Sequence, residues 1–391
     1  MDTPTLRIKN VGQIADARVA FGDLTVLVGP QATGKSIFLQ FFKLLVDTGR
    51  VLAHLKQYGL DWKKDSTRFL DIYLGEGMGA IWRKGQSRIF HNGSAVDVQK
   101  LVSRQRRNKD ESMFYIPAQR VLALRDGWPR PFSDYKAGDP FAVRDFSENL
   151  RLLIEPGLGD DRSLFPQTRR LKSELRNLLN ETVFRDFELR VDEDRPQRRL
   201  VLAPSSRGRP RKPRGSLPFM VWSVGQREFV PLLLGFYWLL PPTKVSRRGN
   251  IEWVVIEEVE MGLHPTAISA VLLLVLELLS RGYRVCISTH SPHVLDMVWA
   301  LKIIQHHGAG PEKLLELFDV RATPNVKSMA QRVLGKDARV YYFDQRTQQA
   351  RDISSLDPGA SEPIESGWGG LTEFSGRTAD VVAGVVGGSR E

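Results

Sequence analysis

The stretch GPQATGKS, residues 29 to 36, follows the apolar run LTVLV and precedes the helix-like run IFLQFFKLL. This is the pattern G-x-x-x-x-G-K-S, in which glycines let backbone N–H groups turn toward an anion at a helix N-terminus. The pattern predicts a strand, a phosphate-binding loop and a helix. Such a unit belongs to an open α/β sheet that binds ligands at the carboxyl edge of its strands.

The residues of this loop have distinct expected roles in binding a nucleotide. Lys35 is expected to reach the terminal phosphates, and the Ser36 hydroxyl is expected to ligate Mg²⁺. A chance glycine-rich turn is the alternative, but the strand before it and the helix after it favour nucleotide binding. The predicted contacts to ATP are Gly29, Ala32, Thr33, Gly34, Lys35 and Ser36.

A second motif, WVVIEEVEMGLHP at residues 253 to 265, places two adjacent glutamates at the end of an apolar run. A buried carboxylate there is costly unless a cation pairs with it. We expect Glu257, which closes the strand-like WVVIE, to bind the Mg²⁺ held by Ser36. Glu258 is then free to polarise the attacking water as a general base. Two surface glutamates after a strand are the alternative.

A histidine follows the next strand-like run, YRVCIS, in the segment THSPH. A residue just past a strand parallel to the first two would lie at the same edge of the sheet. His290 could therefore hydrogen-bond the terminal phosphate of a nucleotide, whereas His293 on the following turn is expected to be incidental.

Four motifs occur in a characteristic order: GPQATGKS, SVGQRE at residues 223 to 228, VVIEEVEMGLHP and STHSPH. They resemble the Walker A, signature, Walker B with D-loop, and histidine switch of ABC-type ATPases. The likeness is to the soluble branch with the SMC and RecF repair ATPases and the ATPase half of overcoming-lysogenization-defect (OLD) proteins. LRIKNVGQI, residues 6 to 14, also resembles the opening strand and turn of that branch. The resemblance covers roughly residues 1 to 305.

This resemblance implies an α/β P-loop NTPase fold of the ABC-ATPase type. A β-rich arm, a helical insertion and a small C-terminal α+β extension are expected in addition. Two residues depart from the pattern: Ala32 replaces a usual loop glycine, and Val259 stands where related EEPE motifs carry proline. Neither departure removes a ligand, and a glutamate in place of aspartate at position 257 is tolerated in this branch.

The signature segment allows two interpretations. Taken alone, S-x-G-Q-R-E before an apolar helical run is a helix capping box. By resemblance, Ser223, Gly225 and Gln226 contact ATP held by the opposite subunit. Two chains would then sandwich two nucleotides head to tail, with the D-loop at residues 262 to 264 crossing the interface. The resemblance thus implies a homodimer, with a higher oligomer left open.

The long spacing between Walker A and the signature indicates inserted structure. Residues 68 to 95 alternate in a strand-like way and predict a β-rich arm over the nucleotide. Gln119, in YIPAQR, is a candidate contact to a magnesium-bound water, the alternative being a polar loop end. The expected parts are an N-terminal ATPase lobe at 1–125, a helical insertion at 126–200, a second ATPase lobe at 201–305 and a C-terminal extension at 306–391.

The net charge of +11 is unevenly distributed, since residues 195 to 214 hold eight arginines and lysines and no acid. Within this stretch RGRP resembles an AT-hook, whose extended core lies in the narrow minor groove of A·T-rich DNA. A solvated basic loop is the alternative. The candidate DNA-binding residues are Arg207, Arg209, Arg211, Lys212 and Arg214.

Several classes of protein are not expected from this sequence. The start, MDTPTLRIKN, lacks the pattern of a signal peptide, and the longest apolar runs are too short to span a bilayer. The single cysteine, Cys286, lies in a strand-like run and is expected to be a buried apolar residue. We therefore expect a cytoplasmic protein without a membrane partner.

The C-terminal part lacks the acidic pattern of a nuclease. OLD-type nucleases continue into a TOPRIM domain, which needs an early glutamate and a later D-x-D pair. Residues 306 to 391 contain no D-x-D triplet, and Asp344 is isolated. We therefore expect no nuclease activity in this chain.

The sequence predicts an ATPase that dimerises on ATP and couples hydrolysis to something outside itself. By resemblance to relatives without a nuclease domain, that role is regulating or sensing for a separate effector in anti-phage defence. A DNA-repair or chromosome-handling ATPase that binds DNA through the basic loop is one alternative. A scaffold locked by nucleotide without hydrolysis is the other.

Overall fold

The computed structural model describes residues 3–103, 110–156, 163–185, 187–192, 197–205, 215–242 and 246–388. The strands are β1 (Thr5–Val11), β2 (Ile14–Ala20), β3 (Leu24–Val28), β4 (Arg88–His91), β5 (Ser94–Val96), β6 (Met113–Ile116), β7 (Leu124–Arg125), β8 (Trp128–Pro129), β9 (Ser163–Phe165), β10 (Phe187–Asp192), β11 (Arg199–Pro204), β12 (Leu217–Pro218), β13 (Trp253–Glu257), β14 (Arg284–Thr289), β15 (Ala338–Phe343) and β16 (Ala350–Asp352). The α-helices are α1 (Lys35–Val46), α2 (Thr48–Gln57), α3 (Ser66–Leu74), α4 (Val98–Ser103), α5 (Phe141–Ile154), α6 (Ser173–Leu179), α7 (Val224–Leu239), α8 (Pro265–Ser280), α9 (Pro292–His306), α10 (Pro311–Glu316), α11 (Pro324–Val333), α12 (Pro363–Ser366) and α13 (Glu373–Gly388).

A six-stranded central sheet carries the predicted motifs. Its strand order is β16-β15-β3-β14-β13-β6, and all neighbouring pairs are parallel except β15 with β16. The strand before the phosphate loop, β3, therefore lies next to β14, and β14 lies next to the glutamate-bearing β13. Because these strands are parallel, the residues after each of them meet at one edge. The predicted α/β fold class is confirmed.

The two faces of the central sheet are buried against different partners. Successive residues of a strand point to opposite faces, so Val254 and Ile256 of β13 join one apolar cluster with α7 and α8. Val255 joins a second cluster, which includes Phe38 of α1. Cys286 lies in that second cluster and is fully buried, as expected, and burial raises the pKa of its thiol.

The arm predicted between residues 68 and 95 is only partly a β-structure. The prediction is wrong for the first part of this arm, because residues 66 to 74 form α3, whose start is capped by the carboxylate of Asp65. The apolar residues of α3 recur at helical spacing, so its Phe69 and Tyr73 pack on one face. Only β4 and β5 form strands, and they complete a four-stranded antiparallel sheet of order β2-β1-β4-β5.

The inserted and C-terminal parts are joined closely to the rest of the chain. The helical insertion also contains strands, and a second antiparallel sheet has the order β12-β11-β10-β9, in which β10 pairs with β11. The C-terminal extension contributes β15, which pairs with β3 in the central sheet. The central sheet therefore includes a strand from beyond residue 305. Among the described residues, no helix has the length and apolar character needed to cross a membrane.

Candidate functional site

The loop after β3 has the backbone geometry of a phosphate-binding loop. Gly34 has φ 91° and Gly29 has φ 144°, both in the region that favours glycine. A Cβ atom on Gly29 would overlap the backbone of Phe343, and one on Gly34 would lie 2.6 Å from Ile14. Ala32 adopts φ 58° although it is not a glycine. The departure noted at Ala32 thus carries backbone strain of about 1–2 kcal/mol.

Lys35 begins α1 and folds back over this loop. Its Nζ donates to the carbonyl oxygens of Gly29 at 2.8 Å and Pro30 at 2.7 Å. Burial lowers the pKa of Lys35 to about 8, although the nearby carboxylates of Glu258, Glu260 and Glu257 oppose that shift. The ammonium therefore occupies a buried position with carbonyls as its hydrogen-bond acceptors, and anionic oxygens would solvate it better.

Glu257 ends β13 with one carboxylate oxygen unpaired. Its Oε2 accepts from Ala118 N at 3.1 Å, but the buried Oε1 has no hydrogen-bond partner within the part of the chain that the structure describes. Burial raises the pKa of Glu257, and the nearby Ser36 hydroxyl and the N–H of Ala118 oppose the rise. An unpaired buried carboxylate oxygen beside a serine hydroxyl suits a divalent cation.

Ser36 and Glu257 could hold Mg²⁺ together with the phosphates of a nucleotide. Among the described residues, no group of three or more His, Cys, Asp and Glu side chains could hold a metal alone. Mg²⁺ is commonly bound by one or two protein oxygens plus substrate phosphates, which agrees with this arrangement. A bound Mg²⁺ would supply neutralisation of phosphate charge there.

Glu258 and His290 meet at the same edge, on the loops after β13 and β14. His290 Nε2 lies 3.8 Å from Glu258 Oε1. Burial and the charge of Lys35 lower the pKa of His290, while Glu258 and Glu260 oppose the shift. Both side chains are partly exposed. The structure thus brings together Lys35, the two predicted glutamates and His290.

Glu260 is a third carboxylate that the sequence reading did not assign. It accepts from Thr289 Oγ1 at 2.9 Å and from the backbone N–H of His290 at 2.5 Å. It therefore fixes the turn after β13 to the turn after β14, and orients the backbone that carries His290. Its position in the run EEVE, two residues after Glu258, was the available signal.

Arg120 is the second functional candidate that the sequence reading missed. It is fully buried at the end of YIPAQR, and its guanidinium donates to the carbonyl oxygens of Glu257 at 3.0 Å and Glu258 at 3.2 Å. The neighbouring Gln119, proposed as the metal-water contact, is exposed at the start of a short 3₁₀-helix.

The signature segment forms the predicted helix cap. Ser223 Oγ accepts from Gln226 N at 3.3 Å, and Gln226 Oε1 accepts from Ser223 N at 3.1 Å, which is a capping box at the start of α7. A Cβ on Gly225 would lie 3.0 Å from the carbonyl oxygen of Gly262 in the D-loop. Signature and D-loop are therefore neighbours within one chain. The candidate DNA-binding residues Arg207 to Arg214 lie outside the described residues.

Comparison with protein-family models gives one match. Residues 129–296 match the family described as "AAA domain, putative AbiEii toxin, Type IV TA system". The matched range contains the signature, the two glutamates and His290, but it begins after the phosphate loop. No curated protein matches the chain.

Solved structures that are similar to this chain include two SMC heads and the ATP-binding subunit of an ABC transporter. The SMC head domain from Thermotoga maritima is 13% identical, with 76% of this chain and 92% of that chain covered and a TM-score of 0.32. An SMC head bound to the C-terminal winged-helix domain of ScpA is 11% identical, with coverages of 74% and 90% and a TM-score of 0.37. The ATP-binding subunit of an ABC transporter is 16% identical, with coverages of 77% and 82% and a TM-score of 0.30. At such low TM-scores these likenesses support no conclusion about function.

Fold, phosphate loop and family match agree on the class of protein. A parallel sheet with G-x-x-x-x-G-K-S after β3 and a glutamate-ended neighbouring strand has the architecture of P-loop ATPases. The matched family supplies the AAA assignment for residues 129–296. The central sheet and its loop thus define an α/β fold of the P-loop kind, and residues 129–296 are similar to an AAA-domain family.

Proposed function

We propose that the protein is an ATPase that dimerises on binding ATP and hydrolyses it to regulate a separate effector. The observation that supports it best is the convergence of two oppositely charged groups at one edge of the sheet. Lys35 lies buried against backbone carbonyls, and the unpaired oxygen of Glu257 lies nearby. ATP with Mg²⁺ supplies both missing partners, because its phosphates are anionic and its metal is cationic.

In this proposal each residue of the edge has one task. Lys35 contacts the terminal phosphates, and Ser36 with Glu257 holds Mg²⁺. Glu258 accepts a proton from the attacking water, and its carboxylate is partly exposed, as access to water requires. His290, 3.8 Å from that carboxylate, hydrogen-bonds the terminal phosphate and responds to its loss.

Dimerisation is supported by the surface around the signature. Met220, Val221 and Val224 are each exposed by 60% or more, next to the helix cap at Ser223. A cluster of exposed apolar side chains beside a phosphate-binding helix start suits a contact with a second copy of this chain.

A separate effector is supported by the family description. The description of the matched family names a toxin and a type IV TA system. This description supports our proposal that the chain acts in a toxin–antitoxin or anti-phage defence system. The genes adjacent to this one identify the effector candidate.

The dimer proposal is tested by Gly225→Asp, which adds a negative charge where the partner's terminal phosphate would approach. ATP-dependent dimerisation, followed by light scattering on a size-exclusion column, should be lost while the monomer still binds ATP. Gly376→Asp is the matched control, because a Cβ at Gly376 meets no atom within 4 Å. Normal dimerisation and hydrolysis by Gly225→Asp would leave SVGQRE as a helix cap only. Dimerisation of the wild type without turnover would favour the nucleotide-locked scaffold.

DNA binding is the second candidate function, and an arginine-lined pocket at the start of β11 favours it. The pocket has a volume of about 720 Å³ and lies between residues 125–134 and residues 197–199. Trp128 lies among the arginines and offers an aromatic face for a base. The basic residues of the pocket are Arg125, Arg130, Arg198 and Arg199.

Salt dependence of DNA affinity tests this candidate. We expect wild-type affinity to fall steeply with salt, since each neutralised phosphate contributes about 0.9 to the log–log slope. Replacing the five basic residues of the loop at positions 207, 209, 211, 212 and 214 by serine should remove several units of that slope. An AT-hook would add a preference for A·T-rich over G·C-rich duplex. Equal, salt-insensitive binding by both proteins would exclude the loop as a DNA contact.

A further inference from the structure

Arg120 is fully buried behind the sheet edge that carries Glu257 and Glu258, and it contacts two separate parts of the chain. It follows β6, and its Nε donates to the carbonyl oxygen of Glu228 on α7 at 3.2 Å. Its Nη1 and Nη2 donate to carbonyls of the turn after β13, those of Glu257, Glu258 and Met261. One side chain thus joins the signature helix to the turn that carries the candidate base.

The partners of Arg120 are unusual for a buried cation. A buried arginine is normally paired with a carboxylate, but here the closest carboxylate oxygen is Glu228 Oε2 at 3.7 Å, and the donated bonds go to backbone carbonyls. Burial lowers the pKa of Arg120, and the charges of the surrounding glutamates oppose the shift. The planar guanidinium has five N–H donors in a fixed geometry. It therefore sets the relative positions of these carbonyls.

The backbone that Arg120 holds is strained at the proposed base. Glu258 has φ 44°, in the left-handed region that costs a non-glycine residue about 1–3 kcal/mol. Its carbonyl oxygen accepts from both Nη1 and Nη2 of Arg120 at 3.2 Å, and its N–H donates to Ser288 Oγ at 3.2 Å. Both sides of this residue are thus fixed, and the side chain is directed toward His290.

We propose that Arg120 is a positioning residue that holds Glu258 in its strained conformation and links that conformation to the signature helix. The inference rests on the proposed hydrolysis of ATP by Glu258. A shift of α7 that moved Glu228 would be transmitted through one rigid guanidinium to the carbonyl of Glu258. In this way, the docking of α7 against a second subunit would also align the proposed base, Glu258.

Arg120→Lys and Arg120→Gln test the role by separating kcat from KM. Neither Lys nor Gln can donate five bonds in one plane, so kcat should fall about a hundredfold in Arg120→Gln and less in Arg120→Lys. The KM for ATP should change by less than about threefold, because Arg120 makes no contact with the phosphate loop among the contacts described above. Arg144→Lys is the matched control, since Arg144 is also a buried arginine that donates to a carbonyl, that of Ile72, at 2.9 Å. It should keep wild-type kcat.

A second readout distinguishes positioning from loss of stability. Hydrogen exchange of the peptide covering residues 258 to 262 should become about tenfold faster or more in Arg120→Lys. Adding Arg120→Lys to Glu258→Gln should lower the residual turnover little further, because both changes act on the same base. If Arg120→Gln fails to fold, the lysine variant decides both measurements.

The two proposals fail in different ways. A wild-type protein that binds ATP without hydrolysing it would contradict the proposed function, while the exchange measurement would still test whether Arg120 holds the turn. A hydrolysing wild type with unchanged kcat and unchanged exchange in Arg120→Lys would overturn the inference about Arg120 alone. Equal losses in Arg120→Lys and Arg144→Lys would overturn it too, since they would indicate a general structural effect.

Discussion

Two buried lysines on one helix have opposite environments. Lys35 begins α1, is 6% exposed, and has backbone carbonyls as acceptors. Lys43 lies in the last part of α1, is 1% exposed, and forms an ion pair of 2.7 Å with Asp47. Burial lowers the pKa of Lys35 to about 8. Burial alone would also lower the pKa of Lys43, but the carboxylates around it raise the pKa above its ordinary value.

The cluster around Lys43 is closed by mutual pairing. Glu111 lies 3.3 Å and Asp145 3.9 Å from Lys43 Nζ, and Arg50 pairs with both of these acids. Asp47 also accepts backbone N–H bonds from residues 112 and 113. Burial opposes ionisation of Asp145, but Arg50, a hydrogen bond from His54 and Lys43 hold the pKa of that carboxyl well below its usual value. Each charge in this cluster has an opposite charge next to it.

The difference separates a structural use of buried charge from a functional one. A closed cluster contributes to stability chiefly through the penalty for breaking it. The edge around Lys35 instead keeps an unpaired carboxylate oxygen on Glu257 and backbone strain at Ala32 and Glu258. Such sites sacrifice stability for a ligand that completes them. Buried charge with a missing partner is therefore the better indicator of function in this molecule.

The largest expected effect comes from breaking the closed cluster. Lys43→Met leaves the buried carboxylate of Asp47 without its cation and should lower the free energy of unfolding by about 3–5 kcal/mol. Lys35→Met should change it by less than about 1 kcal/mol, because no carboxylate among the described residues pairs directly with Lys35, and should instead weaken ATP binding. Urea denaturation and nucleotide titration of both variants provide the test. Equal losses of stability would end the distinction between the two lysines.

The next effect concerns hydrolysis at the incomplete edge. Glu258→Gln removes the proposed base while Lys35, Ser36 and Glu257 remain, so turnover should fall at least about a hundredfold with ATP binding retained. ATP-bound dimer should accumulate. Glu252→Gln, at an exposed glutamate just before the same strand, is the control and should hydrolyse ATP normally. Turnover within a few-fold of wild type would exclude Glu258 as the base.

Glu257→Gln sharpens the comparison by combining stability with metal dependence. Removing a buried, partly unpaired charge should leave the nucleotide-free protein as stable as wild type or more stable by about 1 kcal/mol. In wild type, Mg²⁺ should increase the stabilisation that ATP gives, and EDTA should abolish that increase. In Glu257→Gln, adding Mg²⁺ should cause no such increase. Thermal unfolding with ATP, with ATP and Mg²⁺, and with EDTA measures both effects. A loss of stability in the nucleotide-free variant would mean that Glu257 has a structural role, like the acids around Lys43.

The smallest expected effect tests the strain at the phosphate loop. Ala32→Gly should raise the free energy of unfolding by about 1 kcal/mol, because glycine adopts φ 58° without strain. Ala270→Gly, inside α8, should lower it by a similar amount. Denaturation midpoints of the two variants in opposite directions are the expected result. A loss of stability in Ala32→Gly would mean that the loop is not strained.

Local sequence patterns predicted much of the candidate site at the carboxyl edge of the central sheet. The phosphate loop, the strand ending in Glu257 and the helix capped by Ser223 could each be predicted because their signals lie within about one turn or strand of the chain. Parallel neighbouring strands then required the loops after β3, β13 and β14 to share an edge. That is why His290 could be placed near the glutamates without any long-range information.

Tertiary structure alone decided which distant groups stabilise that edge. Arg120 donates to the carbonyl oxygen of Glu257, which is 137 residues away in the sequence. The acceptor is a backbone atom, so the residue type at position 257 does not indicate this contact. The same holds for the pairing of β15 with β3 and for the acids that surround Lys43. The sequence predicts a strand where α3 lies, because a short apolar segment fits both the helical and the strand period. Packing selects the helix. The sequence thus determined the groups that we propose to bind the nucleotide. The fold determined which backbone carbonyls and buried charges hold those groups in place, because such contacts depend on distance in space rather than on spacing along the chain.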